Sequence, residues 1–164
     1  MLWLWTLIDY PQFDYILYYS NWGNTLTMVC FWLLALSHYK SKDRTFYHEF
    51  TITTFEIAMA MEYVINPLYW TLIYDHSKFD PWVWSTYRGP YINHLLPFVL
   101  LNIEWLLNGF HFNYPHTWRH VTTLTIVYII LNYCGSMYLG KPLYSFINWS
   151  NPITFLILLG IMFY

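Results

Sequence analysis

The sequence predicts an all-α integral membrane protein of about five transmembrane helices, preceded by an N-terminal segment that lies at the interface or re-enters. Three observations lead there. Of 164 residues, 57% are hydrophobic and 10% charged, whereas soluble domains carry about 25% charged residues. Apolar runs recur at residues 24–38, 50–74, 91–110, 118–135 and 152–164, separated by polar, Gly and Pro punctuation. The polar side chains inside these runs fall at helical spacings. The whole chain, 1–164, reads as one domain without repeats.

Met1 to Ser20 begins as MLWLWTLI but is cut by Asp9, Pro11 and Asp14, hence the interfacial or re-entrant reading. It has no basic n-region or small-residue cleavage site, so a signal peptide is not expected. Two Asp and no Arg argue against a transit peptide. Asn21-Trp22-Gly23-Asn24 reads as a loop and cap, and the first span then runs to His38 between Trp22 and Tyr39 as anchors. Lys40 to Arg44 marks a charged loop.

The second span holds Glu56, Glu62, Asn66 and Pro67. Carboxylates at membrane depth are expected to face protein. Glu62 and Asn66 are four residues apart and share a face, whereas Glu56 lies about 120° from Glu62, which excludes a carboxylate dyad on this helix. Pro67 should kink it. Residues 76–90 form a Trp-rich loop, and Gly89-Pro90 opens the third span.

That third span, within Tyr91–Pro115, carries His94, Glu104, Asn108 and His111. At about 100° per residue, with Glu104 at zero, Asn108 falls near 40°, His94 near 80° and His111 near −20°. They form one polar stripe on an otherwise apolar helix. The fourth span places Thr125, Tyr128 and Asn132 on one side, as hydrogen-bonding partners for that stripe. Gly140, Pro142 and Pro152 punctuate the loop before the last span.

The net charge of −2 and the lack of a basic tract exclude nucleic acid as a partner. Cys30 and Cys134, both in apolar runs, read as small core residues rather than a disulfide. No cofactor or metal is expected: His94 and His111 are 17 residues apart, about 25 Å along a helix, and there is no HExxH or CxxC spacing. Lys40, Lys42, Arg44 and Arg119 on one side against Lys78, Arg88 and Lys141 on the other leave orientation open, with the Lys40 to Arg44 loop favouring the cytoplasm or matrix.

His94, then Glu104, then His111-Phe112-Asn113-Tyr114-Pro115 resembles the His, Glu and His-x-x-Tyr-Pro pattern of the androgen-induced protein family of membrane lipid hydrolases. Glu62, Tyr69-Trp70 and Tyr74-Asp75 resemble that family's preceding span, and Gly140-Lys141-Pro142-Leu143-Tyr144 with Trp149 is similar to the related rolling stone proteins. The resemblance covers roughly residues 22–152. It implies a polytopic enzyme that hydrolyses fatty acid esters of hydroxy fatty acids, with Thr27 as nucleophile, or Thr25 in its place, and His94 as the base.

Each of these residues also has a structural account. His94, one turn into its helix, can reach interfacial water or a carbonyl; Glu104 can bond Asn132 or Asn108 as interhelical glue; Thr27 can bond back to a carbonyl of its own helix. Two functions follow from different classes. One is an accessory subunit of a larger membrane complex, in contact with lipid and neighbouring subunits, since a chain of 20.1 kDa has almost no mass outside its apolar runs. The other is the Thr/His hydrolase. The Trp- and Tyr-rich composition points to the mitochondrial inner membrane, with endoplasmic reticulum or plasma membrane as alternatives.

Overall fold

Crossing a bilayer takes about 20 consecutive, mostly apolar helical residues. In the computed structural model, which describes residues 12–39, 44–78, 80, 83, 88–109 and 111–163, one helix meets that demand by length and composition, Pro115–Leu139. The chain is mostly helical, but five transmembrane helices are not supported. Each other predicted span fails for a physical reason.

Helix α1 is Gln12–Leu17 and α2 is Tyr19–Tyr39. At 21 residues α2 is long enough, but its first turns are Ser20, Asn21, Gly23 and Asn24. Helix α3, Arg44–Leu68, is longer still and carries Arg44, Glu49, Glu56 and Glu62. The third predicted span is a π-helical segment, Arg88–Leu95, followed by α4, Leu96–Asn108. The 13 residues of α4 and the 11 of α6, Ile153–Phe163, reach about 20 and 17 Å at 1.5 Å per residue. Among the described residues only α5, Tyr114–Leu139, contains a stretch that is both long and apolar enough. Residues 1–11 of the proposed interfacial segment, and Lys40 and Lys42 of the charged loop, lie outside the described residues, so the charge count for orientation loses its basis.

Asn21 to Asn24, expected as a loop, is helical. Two side chains tie this turn to the preceding backbone: Asn21 Nδ2 donates to Tyr15 O (2.9 Å) and Trp22 Nε1 to Ile16 O (2.8 Å). Pro67 lies inside the last turn of α3, and just beyond it the chain widens into a π turn, Tyr69–Ile73, closed by the Tyr74 N–H on Tyr69 O (2.8 Å). Helix α4 ends on Gly109 in the left-handed region (φ 59°), whose N–H caps Trp105 O; a residue with a Cβ is strained there.

The chain divides into two compact units, one of residues 1–22 with 122–164 and one of Gly23–Val121. Each unit draws part of α2 and part of α5. The Gly23–Val121 unit is centred on Cys30, Phe55, Ala58, Met59 and Leu101, flanked by Leu26, Trp105 and Phe112. Tyr63 adds a polar tie between α3 and α4 by donating to Asn102 Oδ1 (2.8 Å). Cys30 is fully buried, and burial, with Glu104 as a lesser cause, pushes its thiol up to about 12; it is a small core residue, as expected. Cys134 is exposed, which corrects its placement in a core.

The other unit is held by tyrosines. Tyr144 Oη accepts from the Tyr19 N–H (3.1 Å), Tyr19 Oη pairs with Thr125 Oγ1 (3.2 Å), and Tyr128 Oη donates to Leu17 O (3.0 Å). Asn132 extends the network, donating to Tyr128 Oη (3.0 Å) and accepting from Trp149 Nε1 (3.1 Å).

Candidate functional site

Helix α3 presents Glu62 and Asn66 on one face of the Gly23–Val121 unit, as four-residue spacing requires. Opposite Glu62 lies Gly23 of α2: a β-carbon there would sit 2.9 Å from Glu62 Oε1 and would overlap the Ile65 side chain. One turn along α2 from Gly23 comes Thr27, and beside Gly23 is Asn24; both are buried. Asn66 Nδ2 reaches the other way, donating to His94 O (2.6 Å). The result is a polar layer of Asn24, Thr27, Glu62, Asn66 and His94 across α2, α3 and the π-helical segment.

The layer is distinctive for bonds it does not make. Asn24 Oδ1, Thr27 Oγ1, both Glu62 oxygens and His94 Nδ1 are buried without a hydrogen-bond partner among the described residues. Most buried polar atoms in native proteins are paired, so such a group calls for a reason. Thr51 and Thr54 on α3 show the ordinary solution, each bonding back to the carbonyl four residues earlier (2.6 and 2.8 Å). Thr27 does not.

Burial alone sets the ionisation of two members. The Glu62 carboxyl, only 1% exposed, is raised to about 8, and the His94 imidazole is lowered to about 4. At neutral pH both are mostly uncharged. The His94 ring stacks on Tyr69, centroids 3.5 Å apart and planes 13° from parallel, so its orientation is fixed by an aromatic face at the π turn. Single π turns are frequent at functional sites.

Thr27 and His94 thus occupy one unit, but no hydrogen bond joins them. The stripe of Glu104, Asn108, His94 and His111 is divided. Glu104 Oε1 accepts from Asn108 Nδ2 (2.6 Å) within α4, whereas His111 follows the Gly109 cap and is exposed outside the helix. His94 belongs to π geometry, where 100° per residue does not apply. Asn132 and Thr125 bond Trp149, Tyr128 and Tyr19 rather than the stripe. Asn148 of the Asn148-Trp149-Ser150 triplet is exposed, its Oδ1 accepting from the Ser150 N–H (3.0 Å).

Glu56 shares no helix face with Glu62. It is nonetheless 1% exposed and accepts from the Asn113 N–H (2.6 Å) and, through a short bond, from Thr117 Oγ1. Its carboxylate sits at the N-terminus of α5, where the helix dipole favours negative charge. An Asn one residue before a helix and a Thr in its first turn were the legible half of that signal; the acceptor, 57 residues away, was not.

Among the described residues, no three His, Cys, Asp or Glu side chains gather as a metal-binding group. Comparison of the chain with protein-family models, with curated proteins and with solved structures finds no match.

Proposed function

We propose that this protein is an accessory subunit of a larger membrane assembly, held in place by helix faces that its own fold leaves uncovered. The observation behind this reading is on α4, where Leu106 and Leu107 are 75% and 76% exposed and Leu96, Val99, Leu100 and Ile103 are exposed with them. Large apolar patches open to water mark contact with lipid or with another protein. α5 supplies a candidate membrane attachment, and the aromatic-rich composition favours the mitochondrial inner membrane as the compartment. In a mild detergent extract the chain should migrate in native gels far above its 20.1 kDa mass, and a Leu106→Asp/Leu107→Asp variant should fall out of that band. Migration of the unaltered chain as a monomer would overturn the reading.

One observation favours a second reading, the Thr/His lipid-ester hydrolase. Thr27 Oγ1 and His94 Nδ1 are buried and unpaired in the same unit, as a nucleophile and base awaiting substrate would be. In that chemistry Thr27 Oγ attacks the ester carbonyl while a neutral His94 takes its proton and returns it to the leaving alkoxide; water, deprotonated by His94, then attacks the acyl-Thr27 ester, releasing the acid and returning the proton to Thr27 Oγ. Hydrolysis of a hydroxy fatty acid ester by the purified chain should then disappear in both Thr27→Ala and His94→Ala. Hydrolysis unchanged in either variant eliminates this reading.

A further inference from the structure

The polar layer and the uncovered helix faces leave one pair of metal-ligating side chains unexplained. His116 and His120 are both exposed on the first turns of α5, and their Nε2 atoms approach to 3.3 Å, with ring centroids 4.5 Å apart and planes at 73°. We infer that His116 and His120 form a two-histidine chelate for a divalent transition-metal cation of the Zn2+ and Cu2+ class.

The geometry is that of a bite. A cation bonded to each Nε2 at about 2.0–2.1 Å would see the 3.3 Å separation as an N–metal–N angle of about 105–110°, the tetrahedral value preferred by Zn2+. The four-residue spacing is what brings two helical side chains to one point. Without a cation the same contact is a single N–H···N hydrogen bond; coordination requires both protons on Nδ1, a tautomer change with no net proton release from a neutral pair.

The helix turn that carries the pair is already rigid. Between the two histidines, Thr117 is buried and donates to Glu56, while the His116 and Thr117 N–H groups both bond Asn113 O (3.0 Å each). The two imidazoles therefore lose little backbone freedom on closing around an ion, which is the usual gain from preorganisation. Arg119 is exposed on the same turn, about 60° around the helix from His116 and 100° from His120. Water screens its charge, which opposes binding only weakly. Two coordination positions remain for water or an incoming ligand.

Zn2+ titration of the full chain in detergent, followed by calorimetry and thermal unfolding, tests this directly. One equivalent should bind, and the unfolding midpoint should rise with Zn2+ because the unfolded chain lacks the bite. His116→Ala and His120→Ala should each weaken binding by about tenfold or more, as loss of one of two metal–nitrogen bonds demands. A His120→Ala/Thr123→His variant keeps the number of histidines but places the second one about 10 Å from His116 along the axis; it should bind as poorly as His120→Ala. Cu2+ should bind more tightly than Zn2+ to the unaltered pair. No saturable one-equivalent binding, or affinity unchanged in either single variant, would overturn the chelate.

Discussion

The Glu62 carboxyl lies against the bare Cα of Gly23, so close that a β-carbon on Gly23 would stand 2.9 Å from Oε1. Two helices meet there with a glycine on one side and an unpaired carboxyl on the other. Helical glycine ordinarily costs about 1 kcal/mol relative to alanine, so its use in α2 is explained by this close approach.

Gly23→Ala should therefore destabilise the fold by about 1–3 kcal/mol, the usual cost of overpacking. An open helix position would respond with the opposite sign. Chemical denaturation followed by circular dichroism reads the difference. Pairing Gly23→Ala with Ile65→Val should recover part of the loss, because the Ile65 side chain is the nearest obstruction.

Glu62 and His94 make opposing contributions to stability as pH changes. The Glu62 carboxyl, at about 8 when folded against an ordinary 4.5, keeps its proton in the native state while the unfolded chain releases it. Its contribution is largest below pH 4.5 and is lost as pH rises toward 8. His94, at about 4 when folded against an ordinary 6.5, is neutral in the native state while the unfolded chain charges, so its contribution is lost as pH falls from 6.5 to 4. Between about 4.5 and 6.5 the two slopes cancel, and from about 6.5 to 8 Glu62 alone acts. Stability should be flat in the first window and fall in the second. Glu62→Gln should abolish the fall, and His94→Phe, which keeps a ring against Tyr69, should give a decline that starts near pH 4.5. A wild-type profile that rises between pH 6.5 and 8 would contradict the Glu62 assignment, and a steady fall between pH 4.5 and 6.5 would contradict that of His94.

Much of the helical content is legible in the sequence: apolar runs mark α2, α3 and α5, and the four-residue spacing of Glu62 and Asn66 places them on one face of α3. The count of five spans fails on length and polarity: α4 and α6 run 13 and 11 residues, and α2 and α3 carry polar or charged side chains within theirs. The tyrosines have work inside the fold, since the hydroxyls of Tyr19, Tyr128 and Tyr144 hydrogen-bond within one unit. Glu56 illustrates the other gap. A carboxylate in an apolar run announces that it needs a partner, but only the folded chain shows that the partner is the start of α5.

Glu56→Ala should loosen that start. It leaves Thr117 Oγ1 to its weaker bond with Asn113 O (3.0 Å) and leaves the Asn113 N–H without its acceptor, at about 1–3 kcal/mol for a buried group left unsatisfied. Hydrogen exchange should show lost protection in the first turns of α5, with its middle unchanged. Glu56→Gln retains an acceptor but removes the charge at the helix N-terminus, and should cost less than Glu56→Ala. Because Thr117 lies between His116 and His120, Glu56→Ala should also weaken Zn2+ binding.

Asn132 is the corresponding hub of the other unit, 1% exposed and bonded on both sides. Asn132→Leu is close in volume, so its cost should come from the groups it abandons, Trp149 Nε1 and Tyr128 Oη. Tyr128 retains its bond to Leu17 O (3.0 Å), which leaves the half-buried Trp149 indole N–H as the larger loss, at about 1–3 kcal/mol. A cycle with Trp149→Phe separates the terms. If the indole bond carries the cost, Asn132→Leu should be markedly less damaging in the Trp149→Phe background, with a coupling of about 0.5–3 kcal/mol as expected for residues in direct contact. Strict additivity would place the cost of Asn132→Leu in packing instead.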